Sequence, residues 1–401
     1  MIDEERLARE ALVGWNRDRL EAACVVIAGA GAAGNNLVQA LALCHVGELR
    51  LVDADRYEAS NVSRSPLLGR GQVHHGTVGK AEELARAALV VHGASSPTLR
   101  HAHSKIETLG YGAFERADVI VSAVDSFAAR GYLATAARRL CIPLVEMGFH
   151  EIHGHASFFA HRSASEACFL CFQPRAGVTR APCSLYARQL ERIGRVPATQ
   201  PLAASVAAFA SSFIIRAIHG DVPTSPVVSS VNLESCSAER MTVSRSASCK
   251  GHVAPFRNVA TIDVNTNANA RALFQRLTSM GVEHPQLVLR RRFVAEAGCE
   301  KCGAMVHVHR LFDDVTEPPC CASSCAPTPP DVPLTNIVDT VSPDDAIASL
   351  PLATFGYGAR DVVEIVDAAT RTSSAFRLAG SIDDLFSTIR RHVAPSTDSK
   401  D

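Results

Sequence analysis

The sequence has almost no net charge and no long hydrophobic run. Its 401 residues carry 40 lysines and arginines against 41 aspartates and glutamates. Without a basic stripe, nucleic acid is excluded as the main partner. The apolar stretch at residues 201–215 is too short to cross a bilayer, and charges scattered through residues 1–20 exclude a signal peptide. We therefore expect a cytoplasmic chain that has neither a membrane nor nucleic acid as its partner.

The length predicts two or three domains, each able to bury a core, and we find no internal repeat. Residues 1–255 alternate strand and helix patterns, which predicts an α/β domain with a doubly wound, mainly parallel sheet. Residues 256–330 indicate a zinc-ribbon-like segment and a Pro-rich linker. Residues 331–401 predict a small α+β module, with a terminal helix at residues 382–392 and a disordered tail.

A glycine-rich turn follows the first apolar strand, at residues 24–28. Gly29 permits a sharp turn, Gly31 lets the backbone approach a phosphate or ribose, and Gly34 allows close helix packing. The helical pattern of residues 35–46 comes next. Such a turn also joins ordinary strands to helices, so alone it indicates a nucleotide site only weakly.

Charged residues at the ends of later strands indicate which nucleotide the site would bind and for which reaction. A second strand ends at Asp53 and Asp55, about 20 residues downstream, where a carboxylate can hold a ribose hydroxyl. Arg64 and Lys80 can neutralise triphosphate oxygens, and Asp125 can hold the Mg²⁺ that bridges them. Singly, the two cations could be solvated surface residues and Asp125 a helix N-cap. As one set they favour ATP chemistry over hydride transfer.

These residues occur in the order found in one family. The chain resembles the ThiF/MoeB/HesA adenylyltransferases, which are related to ubiquitin-activating enzymes. The segments that carry the resemblance are residues 29–34, 53–55, 60–64, 78–80 and 123–126. Ala32 stands where the family has its third glycine. Residues 5–10 are similar to the family segment whose second arginine reaches into the ATP site of a dimer partner.

The resemblance implies a role for each matching residue. Asp53 would bind ribose, Asp125 would bind magnesium, and Arg9 would act across a homodimer. The phosphates would be bound by Asn61, Arg64 and Lys80. The remaining members of the implied nucleotide site are Gly29, Gly31, Ala32, Gly34 and Asp55.

Two groups of cysteines predict zinc, and the total of 13 cysteines fits a reducing compartment. Cys168 and Cys171 form one pair, and Cys249 with His252 forms a second, so the pairs supply four tetrahedral ligands. The family has a similar arrangement around a long insertion. A buried thiol pair with a surface histidine is the plainer alternative, and a redox disulfide lacks its usual βαβ context.

The second group flanks a strand-like alternation at residues 304–311, as in a zinc ribbon. Its predicted ligands are Cys299, Cys302, Cys325 and one of Cys320 or Cys321, with Cys321 taken as the ligand. His307 and His309 are possible substitutes, although exposed strand histidines are the commoner interpretation.

Cys183 lies in a polar, irregular segment at residues 175–196, between the knuckles of the first zinc site. By resemblance this segment is the crossover loop, where some family members carry a cysteine that accepts the activated acyl group. Neighbouring arginines could lower the pKa of the Cys183 thiol. The alternative is an unreactive loop cysteine.

We therefore predict an enzyme that uses ATP, Mg²⁺ and structural Zn²⁺ to adenylate a carboxylate. The substrate would be the C-terminal glycine of a ubiquitin-like or sulfur-carrier protein, followed by possible thioester transfer to Cys183. Two alternatives stay open: an adenylyltransferase that modifies a ribosomally made peptide, and a non-catalytic Rossmann scaffold subunit.

Overall fold

The structure is a computed structural model of the chain. The residues that it describes are 8–68, 78–92, 97–150, 152–163, 165–172, 199–299, 301–315, 321 and 335–389. In these ranges the α-helices are α1 Ala8–Ala11, α2 Arg17–Ala22, α3 Ala32–Leu43, α4 Lys80–His92, α5 Ile106–Leu109, α6 Phe127–Leu140, α7 Phe169–Phe172, α8 Gln200–Ile218 and α9 Ala270–Ser279.

The described strands, in chain order, are β1 Cys24–Ala28, β2 Glu48–Val52, β3 Thr98–Ala102, β4 Val119–Ser122, β5 Leu144–His150, β6 His153–Phe159, β7 Val227–Asn232, β8 Ser237–Thr242, β9 Ala260–Thr261, β10 Pro285–Gly298, β11 Met305–Leu311, β12 Thr335–Val341, β13 Val362–Asp367, β14 Ser373–Arg377 and β15 Ser387–Ile389.

The chain divides into two compact units. The first takes in the described parts of residues 1–107, 116–255 and 386–401, and the second those of residues 108–115 and 256–385. Strands from both predicted C-terminal segments, 256–330 and 331–401, lie in one sheet of the second unit.

The first unit is built on a nine-stranded sheet with the order β15-β3-β2-β1-β4-β5-β6-β7-β8. Strands β3, β2, β1, β4 and β5 run parallel, and the others pair antiparallel. The predicted mainly parallel, Rossmann-like sheet is confirmed. Its central strand β1 is apolar and buried along its whole length, as a strand covered on both faces should be.

Helices α3, α4 and α8 share one apolar core with the sheet, to which Leu37, Leu84 and Ile214 contribute fully buried side chains. Helix α8 is longer than the apolar stretch predicted at residues 201–215, so by length and composition alone it could span a membrane, contrary to that prediction. Half of its most apolar stretch is buried in the fold. Core helices often pass the same test, so the finding is weak.

The second unit has a six-stranded sheet in which β10 is the longest strand. The order is β11-β10-β13-β14-β9, and β12 also pairs with β10. Helix α9 packs its apolar side, including Leu273 and Phe274, into a core with Phe293 and Phe355. The second unit is thus a smaller α+β region, with strands from residues 256–330 as well as from residues 331–401.

The predicted helix at residues 382–392 is wrong over its described part. Residues Ile382–Asp384 form a 3-10 turn, and β15 then pairs antiparallel with β3, placing Ile389 opposite Leu99. The edge of the parallel sheet offers unpaired backbone groups, and the β-branched Thr388 and Ile389 favour a strand there.

Candidate nucleotide site and cysteine clusters

The glycine turn after β1 is fixed by close backbone contacts. Gly29 has a φ of 100°, and a Cβ there would lie 2.3 Å from the carbonyl oxygen of Ala123. A Cβ on Gly34 would lie 1.9 Å from the carbonyl oxygen of Gly29. Both positions therefore require glycine.

Gly31 differs, because a Cβ added there would meet no atom of the described residues within 4 Å. It is the N-cap of α3 and has no side chain to cap the helix. A ligand can therefore approach the N-terminus of this twelve-residue helix at Gly31, and a helix N-terminus favours an anion or a sugar. Ala32 is already helical, so this position does not require glycine.

Asp53 is held at the end of β2 by two backbone N–H groups. Ala30 N donates to its Oδ2 at 2.7 Å, and Asp55 N donates to its Oδ1 at 2.8 Å. Burial raises the pKa of the Asp53 carboxyl, and these two hydrogen bonds offset part of that shift. The carboxylate is therefore fixed against the glycine turn.

Lys80 begins α4 and forms an ion pair with Asp55. Its Nζ lies 2.8 Å from Asp55 Oδ2, and its backbone N–H donates to Asp55 O at 2.9 Å. The Lys80 side chain is 13% exposed, whereas that of Asp55 is 71% exposed. The structure thus brings Asp53, Asp55 and Lys80 to one place, with Lys80 held by Asp55.

Asn61 and Arg64 lie in the 3-10 turn Ala59–Arg64, and both side chains bind locally. Asn61 Oδ1 accepts from Glu58 N at 3.0 Å, and an Arg64 guanidinium N–H donates to Ser60 O at 2.6 Å. The Arg64 side chain is half-buried. Phosphate contacts by either residue would require these local hydrogen bonds to be exchanged or shared.

Asp125 follows β4 and its side chain is exposed. The N-cap of α6 is Ser126, whose Oγ accepts from Ala129 N at 3.4 Å. Asp125 is therefore not the helix cap. Strands β1 and β4 are parallel neighbours, with Ala28 paired to Ser122. The glycine turn and Asp125 follow their carboxyl ends, so both lie at the same end of the sheet.

Two asparagine side chains that hold the segments around the glycine turn together were not predicted from the sequence. Asn35 Oδ1 accepts from Leu67 N at 3.1 Å, and its amide donates to the Tyr57 hydroxyl at 3.3 Å. Asn36 accepts from Gln200 Nε2 at 2.7 Å and donates to Arg64 O at 3.4 Å. Two adjacent asparagines in a largely apolar helix were the available signal.

A buried carboxylate network was also missed. Glu146 on β5 accepts from Arg130, from His155 Nε2 at 2.9 Å and from Ser157 Oγ at 3.0 Å. Burial alone would raise the pKa of Glu146, but these donors outweigh it and the pKa is lowered. Arg130, one turn into α6, is thus already paired.

Two predicted residues lie apart from this geometry. Arg9 is exposed on α1, and its predicted role needs a second copy of the chain, so that role stays a prediction. Cys183 lies outside the described residues, as does the whole of the predicted crossover loop, residues 175–196.

The first cysteine cluster brings together Cys168, Cys171, Cys249 and His252, whose ligand atoms all lie within 4.8 Å of one another. The sulfurs of Cys168 and Cys249 are 3.6 Å apart, and those of Cys168 and Cys171 are 3.9 Å apart. Zinc–sulfur bonds of about 2.3 Å place tetrahedral sulfurs about 3.8 Å apart, so the donor set fits Zn²⁺.

Backbone N–H groups and a glycine of the surrounding chain contact the sulfurs of this cluster. Ser246 N and Gly251 N donate to the sulfurs of Cys171 and Cys249, each at 3.4 Å. A Cβ on Gly251 would lie 2.9 Å from the Cys168 sulfur, so only glycine fits.

The second cysteine cluster consists of Cys299, Cys302 and Cys321. Cys320 and Cys325 lie outside the described residues, so the fourth ligand stays a prediction. His307 lies 3.1 Å from Glu296, and the His309 ring stacks near Phe293, so neither histidine is in the cluster.

Comparison with known proteins gives a consistent result. The ThiF family model matches residues 6–251, more than half of the chain. Ubiquitin-like modifier-activating enzyme 5 of Drosophila persimilis is 28% identical over 172 residues, 40% of this chain and 43% of that protein. The sulfur carrier protein adenylyltransferase of Thermus thermophilus is 30% identical over 165 residues, 40% of this chain and 58% of that protein.

Among solved structures, E. coli MccB with ATP superposes with a TM-score of 0.51 and 22% identity, covering 62% of this chain and 74% of that one. At this identity the likeness concerns the fold alone. The chain spans less than two thirds of the length of the curated relatives named above.

Proposed function

The chain belongs to the ThiF family, and from that premise we propose that it is an ATP-dependent adenylyltransferase. A substrate carboxylate oxygen attacks the α-phosphorus of ATP and forms an acyl-adenylate. The bond between the α-phosphorus and the bridging oxygen breaks, and pyrophosphate leaves with that electron pair. No general base is required, since a carboxylate is ionised at neutral pH.

The observation that carries this proposal is that three features of the site lie together at the carboxyl ends of neighbouring parallel strands. Three features occur where β1, β2 and β4 end: a side of Gly31 that no described residue covers, the fixed carboxylate of Asp53 and the exposed carboxylate of Asp125. Open α/β sheets bind their ligands at the carboxyl ends of the parallel strands.

In the proposed complex, Asp53 binds ribose and the N-terminus of α3 faces the phosphates with Asn61, Arg64 and Lys80. Lys80 would leave Asp55, or share it, to reach a phosphate oxygen. Mg²⁺ bound with ATP supplies further charge neutralisation, and Asp125 is the residue that would hold it. Arg9 of a second copy would add a cation if the chain is a homodimer, as we propose. These charges oppose the negative charge that develops in the transition state.

The substrate class that we propose is a protein or peptide with a free C-terminal carboxylate, in particular a ubiquitin-like or sulfur-carrier protein ending in glycine. Support comes from the relatives, whose names include enzymes for both protein classes. Zn²⁺ in the first cysteine cluster would join residues 168–171 to residues 249–252. Cys183, between those two segments in sequence, would then accept the acyl group and release AMP.

The test is ATP–pyrophosphate exchange with zinc-replete protein, using candidate carrier proteins that end in glycine and short peptides as substrates. We expect exchange that depends on one substrate class and falls on the order of 10²- to 10³-fold in Asp125→Ala. Asp18→Ala removes an exposed carboxylate of the same unit and should exchange normally.

If the protein binds ATP but none of the tested substrates gives exchange, the scaffold alternative is favoured instead. The thioester step has its own test, because Cys183→Ala should retain exchange while losing transfer to the acceptor. Transfer at the normal rate in Cys183→Ala would remove that step from the proposal.

A further inference from the structure

The second unit has its own group of converging thiols, which the proposed adenylation does not use. Cys299 directly follows β10, Cys302 precedes β11, and Cys321 lies beyond the 3-10 turn Phe312–Asp314. Their three sulfurs lie within 4.8 Å of one another, and those of Cys302 and Cys321 are 3.5 Å apart. Residues distant in sequence thus present sulfur to one point.

The backbone between β10 and β11 has the form of a metal-binding knuckle. Cys299 N donates to Ala304 O at 2.9 Å, and Gly303 N donates to Cys299 O at 2.8 Å. Gly303 has a φ of 73°, a conformation that favours glycine. The Cys299 side chain at the start of this turn is buried. The turn therefore holds the Cys299 and Cys302 sulfurs close together, as a metal-binding knuckle does.

Distances distinguish a metal site from a disulfide. A disulfide bond is about 2.05 Å long and uses two sulfurs. The separation of 3.5 Å between Cys302 and Cys321 is instead close to the roughly 3.8 Å expected between sulfurs bound to one tetrahedral zinc ion. Convergence of a third sulfur also has no role in a disulfide.

We propose that the second unit binds a Zn²⁺ ion of its own through Cys299, Cys302 and Cys321. Three sulfur ligands leave one position of a tetrahedral zinc ion for a further ligand. This metal fastens the turn between β10 and β11 to the chain at Cys321. Because the two cysteine clusters share no ligand and lie in different units, each metal binds independently. The inference does not depend on adenylation.

The experiment measures bound metal by elemental analysis on the full chain after dialysis against a weak chelator. We expect about two zinc ions per chain in the wild type. Cys302→Ser and Cys171→Ser should each retain about one, and the double variant about none. Cys236→Ser is the matched control, because Cys236 is an exposed cysteine outside both clusters and should leave two ions bound.

A second measurement needs no variant, so it decides the matter even if Cys302→Ser fails to fold. Alkylation of native protein followed by peptide mapping should find Cys299, Cys302 and Cys321 protected until a strong chelator is added, while Cys236 reacts at once. The proposal is overturned if these three thiols react without chelator, if Cys302 and Cys321 are joined by a disulfide, or if the metal is iron.

Discussion

Two sets of charged residues, one chosen from each unit, differ in burial and therefore in purpose. In the first unit, Asp125 and Asp55 are exposed where parallel strands end. In the second unit, Arg290 and Asp361 form a buried pair, with side chains 10% and 0% exposed. Exposure leaves a charge able to exchange water for a ligand, whereas burial requires that every partner come from the protein itself.

The buried pair is surrounded by partners. An Arg290 guanidinium N–H lies 2.6 Å from Asp361 Oδ2, and another donates to Gly356 O at 2.6 Å. The guanidinium also lies over the rings of Tyr111 and Tyr357, at 5.2 and 5.5 Å from their centroids. Asp361 accepts from Tyr111 N at 2.7 Å. This arrangement holds the second unit in shape and leaves little capacity for a ligand.

The largest effect on stability should come from Asp361→Ala. This change leaves the Arg290 charge buried without its carboxylate, and we expect a loss of about 3–5 kcal/mol in the free energy of unfolding. Hydrogen exchange of the β10 and β13 amides, measured with denaturant unfolding, checks the result.

Asp339→Ala is the control, because Asp339 is an exposed aspartate on β12 of the same unit. It should change the unfolding free energy by less than about 0.5 kcal/mol. If both variants lose the same small amount, burial does not separate the charges of the two units.

The next effect concerns activity. Lys80→Ala should lower pyrophosphate exchange on the order of 10²-fold, because it removes a cation proposed to oppose charge in the transition state. Its unfolding free energy should change by less than about 1 kcal/mol, since its partner Asp55 is exposed to water. Kinetics and denaturation of the same preparation test both statements.

Asp55→Asn refines this test. If Asp55 acts by holding Lys80, its loss is smaller than that of Lys80→Ala, and the double variant is no worse than Lys80→Ala alone. Independent, additive losses would instead favour Asp55 as a direct nucleotide ligand. Arg86→Ala, which removes an exposed cation from the same helix, should leave exchange unchanged.

Local patterns were sufficient to predict much of the first unit. A buried apolar strand followed by Gly29, Gly31 and Gly34 has few alternatives, and strand ends place Asp53 and Asp125 at one sheet edge. The knuckle spacings also predicted which thiols converge, for Cys168 and Cys171 with Cys249 as for Cys299 with Cys302.

Contacts between distant residues could not be predicted in this way. Arg100 donates to Thr388, 288 positions later, and that pairing makes a strand of residues predicted as helix. Tyr111 lies within the predicted first domain but belongs to the second unit, where its N–H meets Asp361, 250 positions on. Such partners are chosen by tertiary packing and leave no mark in the local sequence.

The smallest effect should come from Glu82→Gln, which breaks the exposed pair between Glu82 and Arg86 on α4. The two side chains are 30% and 58% exposed. We expect a loss of about 0.3–0.5 kcal/mol in unfolding free energy at low salt, with no change in exchange activity. The loss should become smaller as salt is raised to 1 M, where the Debye length falls to about 3 Å. A larger loss that salt does not reduce would mean that solvent exposure alone does not predict how much each ion pair stabilises the fold. The difference between the Glu82–Arg86 pair and the Arg290–Asp361 pair would then need a cause other than burial.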